Sequence, residues 1–266
     1  MLKLKNISKT FNGLEVIKNL SCEVARDDFV VVMGPNGAGK STLFDLISGK
    51  TIPDGGSVEI EGRDITGLSE RKRTGLIGRL FQNTHLGSCS HLTVEENLAL
   101  ANLKGRRAGL GFGLKRFPEE IVEQRLKPLN LNLEKLLNVP LGALSGGQRQ
   151  MIAFFLATLH PPKILLLDEP TAALDPDSAA ELLSYARDYA KEHRIATLLI
   201  THDPWVAKHM GNRLWVLRKG AIREYGLEKR EMDPQEFFSP IDYAKLADGE
   251  SRRSHDDLKE PFLCCT

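Results

Sequence analysis

The sequence predicts an α/β fold: a mostly parallel central sheet, an N-terminal antiparallel β subdomain and an inserted helical subdomain. Three observations lead there. Two continuous apolar runs, "DFVVVMG" and "KILLLDEP", suit strands that are buried on both faces. The first run leads directly into the glycine-rich "GPNGAGKST". Between the two runs, over residues 87–162, the apolar spacing turns helical, which reads as an insertion into the sheet-forming core.

The elements follow in order. Short alternations in "LKLKNI" and "GSVEIEG" predict half-buried strands of the β subdomain, "DFVVVM" a central strand and "STLFDLISG" a helix. Within the insertion, "VEENLALANLKG", "PEEIVEQRLKPLN" and "QRQMIAFFLATLH" carry helical spacing. "KILLLDEP" is the second central strand, "SAAELLSYARDYAKEHR" an amphipathic helix, "IATLLITHD" another buried strand, and "RLWVLRKGAIREYG" a hairpin turning at Lys219-Gly220. Beyond Glu228 the pattern weakens, and the charged tail has no apolar period. We therefore expect one domain over 1–230 and a partly disordered extension over 231–266. A single phosphate loop and no solenoid repeat argue against a second nucleotide domain.

Composition narrows the function classes. With 36 basic and 35 acidic side chains, the net charge of +1 gives no electrostatic footprint for nucleic acid. The apolar run "MIAFFLATL" falls far short of the roughly 20 residues that span a bilayer, so no transmembrane helix is expected. The N-terminus lacks an apolar signal core, and Cys22, Cys89, Cys264 and Cys265 form no metal spacing, which suggests a reduced, cytoplasmic setting. Cys264 and Cys265 do not fit the prenylation pattern and read as plain thiols.

The loop Gly34, Pro35, Asn36, Gly37, Ala38, Gly39, Lys40, Ser41, Thr42 joins a buried strand to a helix, the context that makes such a match informative. Its glycines let successive amide N–H groups face phosphate oxygens, Lys40 adds a charge for the terminal phosphates, and Ser41 offers a hydroxyl to Mg²⁺. The combination predicts a P-loop NTPase core. Asp168, ending an apolar strand, can hold Mg²⁺ through water, and Glu169 directly after it can orient and deprotonate an attacking water.

"GALSGGQRQ" is a second candidate anion site. Ser145 can cap a helix starting near Gly146 and leave the Gly146 and Gly147 amides free, with the helix dipole worth roughly 0.3–1 kcal/mol per favourable charge. One chain thus carries two phosphate cradles.

These segments, with "LFQN" (Leu80–Asn83), "AALDP" (Ala172–Pro176) and "ITHD" (Ile200–Asp203), occur in an order and spacing that resembles the ATP-binding subunit of ABC transporters over about residues 1–230. The resemblance implies ATP and Mg²⁺ as ligands. It also implies that Gln82 contacts Mg²⁺ and the attacking water, that His202 holds the γ-phosphate, that Asp175 acts across a dimer interface, and that Phe11 stacks on adenine. Ser145, Gly146, Gly147 and Gln148 would then complete the ATP site of a second subunit in a head-to-tail dimer, a homodimer or a pair with a paralogous subunit.

The same resemblance implies integral membrane permease subunits as partners, an extracytoplasmic substrate-binding protein in the complex, and a place on the cytoplasmic face of the cell membrane. "LKGRRAGLGFGLKRFPEE" resembles the matching stretch in ATPases of amino-acid importers, of the branched-chain type and of a tryptophan/tyrosine type. "GRLFQNTHLGSCSHLTVEENLALA" leans toward the second, although Pro170 and Asp203 stand where that type often has His and Asn. The rival reading is a soluble ATPase switch of the same superfamily acting in DNA repair or translation. The chain lacks the long coiled coils, the second nucleotide domain and the basic surplus such proteins carry.

Overall fold

Every residue of Phe29–Met33 and of Ala196–Ile200 is buried, as expected of strands with neighbours on both edges and cover on both faces. They pair in parallel at the centre of a six-stranded sheet. The computed structural model describes residues 1–83, 86–103 and 133–226, within a unit spanning Met1–Leu227. The predicted helix "PEEIVEQRLKPLN", most of the Gly/Arg-rich stretch and the C-terminal extension lie outside the described residues.

The strands are β1 (Leu2–Phe11), β2 (Leu14–Val24), β3 (Phe29–Met33), β4 (Gly55–Ile60), β5 (Arg63–Asp64), β6 (Ile77–Leu80), β7 (Ile164–Asp168), β8 (Ala196–Ile200), β9 (Arg213–Arg218) and β10 (Ala221–Gly226). The helices are α1 (Lys40–Ser48), α2 (Glu70–Arg73), α3 (Val94–Asn102), α4 (Gly146–Thr158), α5 (Pro176–Glu192) and α6 (Pro204–Met210). The large sheet has the order β10-β9-β3-β8-β7-β6 and is parallel except for β10. The smaller sheet, β2-β1-β4-β5, is antiparallel throughout.

One apolar cluster joins the two sheets. Leu4, Ile7 and Ile17 of the small sheet meet Leu43 and Phe44 of α1 and Val30, Val32, Leu166, Leu198 and Trp215 of the large one. The alternate residues Val31, Leu165, Leu167 and Leu199 are buried too, so the large sheet is covered on both faces. Within 87–162 the described elements are the helices α3 and α4 and two short 3-10 turns, in keeping with a helical insertion. The β9–β10 hairpin turns at Lys219-Gly220, whose φ values of 47° and 80° are those of a two-residue hairpin turn.

β2, β5, β6, α2 and α6 lie outside the elements that the sequence predicts. β2 has an irregular burial pattern, with Asn19 at φ 41° and register shifts against β1, so its alternation is broken. β6 is four residues long and contains Gly78 and Arg79.

Candidate active site

Four neighbouring parallel strands, β3, β8, β7 and β6, deliver their carboxyl ends to one edge of the sheet, the place where open α/β sheets bind ligands. β3 leads into the phosphate loop, β8 into Thr201 and His202, β7 ends on Asp168, and β6 leads through Phe81 to Gln82.

The loop itself is shaped by close approach. A Cβ on Gly34 would sit 2.2 Å from the Leu217 carbonyl oxygen, so only glycine fits there without movement. Gly39, at φ 101°, precedes the first residue of α1. The Lys40 ammonium is folded back onto the loop, donating to the carbonyls of Gly34 (2.8 Å) and Pro35 (3.1 Å). Burial lowers its pKa, against the opposing charges of Glu169 and Asp168.

Glu169 is the hub of the cluster. Its Oε1 lies 2.8 Å from His202 Nε2, and its Oε2 accepts a hydrogen bond from Gln82 Nε2 at 3.4 Å. Its backbone is left-handed, with φ 46°, a conformation that costs a β-carbon residue on the order of 1–3 kcal/mol. The Glu169 N–H donates to Ile200 O at 3.0 Å and helps hold that geometry. Asp168 is largely buried, and burial raises its pKa against the Arg79 guanidinium beside it. His202 and Gln82 therefore each touch Glu169, which follows the proposed metal carboxylate directly in sequence.

Ser145 does cap α4. Its Oγ accepts from Gln148 N at 3.2 Å, and Gln148 Oε1 accepts from Ser145 N at 3.1 Å, a reciprocal capping box. Gln148 is thus engaged in the cap, while the Gly146 and Gly147 N–H groups have no hydrogen-bond partner among the described residues. Gly147 lies against Ser178, where a Cβ would meet the hydroxyl at 2.7 Å. Ser178 N in turn donates to Asp175, the cap of α5, which lowers the Asp175 pKa. The ends of α4 and α5 that carry Ser145 and Asp175 are therefore adjacent. No hydrogen bond or ion pair ties them to the phosphate loop among the described residues.

Phe11 ends β1 ahead of the Asn12-Gly13 turn, 43% exposed, with Lys9 Nζ 5.3 Å from its ring centre. Asp54 fixes this strand end by accepting from Lys9 Nζ (2.6 Å) and Thr10 N (2.7 Å).

Sequence reasoning gave no role to Arg79, Gln150, Arg149 or Asp203. Gln150, 3% exposed, reaches from α4 to Phe81 O at 3.4 Å, linking the capped helix to the Gln82 loop. Arg149 Nη2 donates to Leu144 O at 3.1 Å, and Asp203 caps α6 through Trp205 N.

Comparisons with known proteins identify the family. The family model described as ABC transporter matches residues 17–172. The chain belongs to the ABC transporter family. A tyrosine transport ATP-binding protein of Clostridioides difficile is 38% identical over 251 residues, covering 92% of this chain and all of that protein. A phosphonates import ATP-binding protein of Haloarcula marismortui is 36% identical over 226 residues, covering 84% of this chain and 83% of that one. Among solved structures, a dimeric post-hydrolysis state of an ATP-binding cassette bound to ADP and Pi superposes with a TM-score of 0.72 at 31% identity, covering 86% of this chain and 99% of that one. This ABC protein binds ATP and hydrolyses it. No helix among its described residues is long and apolar enough to cross a membrane.

Proposed function

We propose that this chain is the ATP-hydrolysing subunit of an importer for amino acids or related small molecules, working as a dimer closed around two ATP and driving separate permease subunits. The observation that carries the dimer is the division of the phosphate-binding groups. Lys40, Glu169, His202 and Gln82 gather at the strand ends, whereas the Ser145 cap and its free glycine amides adjoin Asp175. A water-excluded phosphoryl-transfer site needs donors on both sides of the γ-phosphate, and a second copy supplies the missing side.

In that site Glu169 accepts the proton of the attacking water, with His202 and Gln82 fixing its two oxygens. Phosphate oxygens replace the Gly34 and Pro35 carbonyls as partners of Lys40, and Phe11 offers its exposed ring to adenine. Ser41, Asp168 and Gln82 would hold Mg²⁺. Their donors are all oxygen, and among the described residues no group of three or more His, Cys, Asp or Glu could hold a metal by itself. Such a set fits an ion that keeps waters and takes substrate phosphate oxygens. When bound, Mg²⁺ supplies charge neutralisation on the β- and γ-oxygens.

The permease reading is supported by a cavity of about 420 Å³ between α2, β6, α3 and α4, walled by Arg71, Phe81, Leu100, Leu103 and Leu156. Leu100 is about half exposed at its rim. A short permease helix docked there sits against Phe81, next to Gln82. On this reading the chain lies on the cytoplasmic face of the cell membrane, with 1–230 as the ATPase domain, 87–162 as its helical insertion and 231–266 as an extension. The amino-acid cargo, delivered by an extracytoplasmic binding protein, rests on the tyrosine transport relative. The test is to identify permease subunits in the neighbouring reading frames, co-express the chain with them and follow it by membrane flotation. Flotation lost in Leu100→Glu supports the reading, and the native chain failing to float with the permease contradicts it.

A further inference from the structure

Arg79 on β6 has a side chain only 7% exposed, in a strand otherwise without polar side chains, and it is not accounted for by the roles given above. Its Nη1 donates to Asp45 Oδ1 (2.5 Å) and Ser48 Oγ (3.2 Å) on α1, and its Nη2 donates to Asp168 Oδ2 (3.0 Å) at the end of β7. The guanidinium carbon lies 4.6 Å from the Phe81 ring centre and 6.0 Å from that of Phe44. Its Nε is buried with no hydrogen-bond partner among the described residues, so the group is placed to span two carboxylates rather than to satisfy all its donors. One planar fork therefore ties the helix of the phosphate loop, the Asp168 carboxylate and the root of the Gln82 loop. A lysine, a point charge with no fork, cannot span both carboxylates.

We propose that Arg79 is the positioning residue that fixes the Asp168 carboxylate for the divalent cation and couples it to the Gln82 loop. This rests on the reading of Asp168 as the metal-holding carboxylate. Groups that orient a metal ligand from behind commonly matter about 10- to 100-fold to metal affinity.

The test is fluorescent-ATP binding to the full-length chain, titrated with Mg²⁺ and repeated in EDTA, for the native protein, Arg79→Lys, Asp168→Asn and Arg213→Lys. Arg213 is a control ion pair on β9, bonded to Asp28 and Glu224. Arg79→Lys is expected to raise the Mg²⁺ midpoint about tenfold while ATP affinity in EDTA stays native, and Arg213→Lys to move neither. A native midpoint in Arg79→Lys overturns the proposal. So does an equal loss of affinity with and without Mg²⁺, which marks a general structural role. Asp168→Asn with a native midpoint would instead overturn the metal reading of Asp168 itself, and this proposal with it.

Discussion

His202 Nε2 lies 2.8 Å from Glu169 Oε1, while Gln82 reaches the other carboxylate oxygen at 3.4 Å. Side chains beyond the ends of β8 and β6 thus converge on the carboxylate that follows β7, whose own backbone is left-handed at φ 46°. On the proposed reading Glu169 is the general base, and these contacts limit its motion as an ordered attacking water requires.

His202→Ala is expected to lower ATP turnover by roughly 10²- to 10⁴-fold, the range general acid–base and positioning groups contribute. Fluorescent-ATP binding to the isolated subunit should stay native, because Lys40 and the loop amides remain. Paired binding and phosphate-release assays separate the two, and native turnover would remove His202 from the site.

Ser145→Arg places a bulky cation at the α4 cap. Turnover should fall by about 100-fold or more, as when a donor to developing charge is lost. ATP binding to the monomer should not change. Equal loss of both would mean that Ser145 serves its own chain's nucleotide.

Gly34→Ala drives a methyl into the Leu217 carbonyl at 2.2 Å, an overpacking expected to cost about 1–3 kcal/mol and to displace the loop. Gly37→Ala meets nothing within 4 Å but sits at φ 77°, so only the conformational penalty, about 1 kcal/mol, applies. Thermal denaturation of the two variants should rank Gly34→Ala as the less stable.

Burial, then the charge of Glu224, pushes the Cys22 thiol up to about 12. The raised value leaves Cys22 protonated at any pH well below 12, and the thiol is a poor nucleophile. Cys89 is exposed. Alkylation of the native protein at pH 8, read by peptide mapping, should modify Cys89 and spare Cys22. Raising the pH to 10 should not change that order, and denaturation should.

The central strands were legible because burial on both faces writes an uninterrupted apolar run, and the loop, Asp168 and Glu169 were legible because they stand at the ends of those runs, whereas His202 and Gln82 were singled out only through the family resemblance. The Ser145 cap was legible from its place just ahead of Gly146, Gly147 and an apolar helical run. What escaped lacks a local signature. Arg79 interrupts a four-residue strand, and its partners Asp45 and Asp168 are 34 and 89 residues away. Gln150 reads as an ordinary helix polar residue until packing brings Phe81 O within 3.4 Å. The Asn12-Gly13 turn carried a hairpin signal that went unread, and it is what sets Phe11 at an exposed strand end.

The central claim is that the nucleotide site is completed by a second subunit. Size-exclusion chromatography with light scattering on Glu169→Gln, with and without Mg-ATP, tests it most directly. The account predicts a monomer without nucleotide and a stable dimer with it, because ATP bridges the subunits and is not consumed. A Glu169→Gln protein that binds ATP yet stays monomeric at high concentration would contradict it.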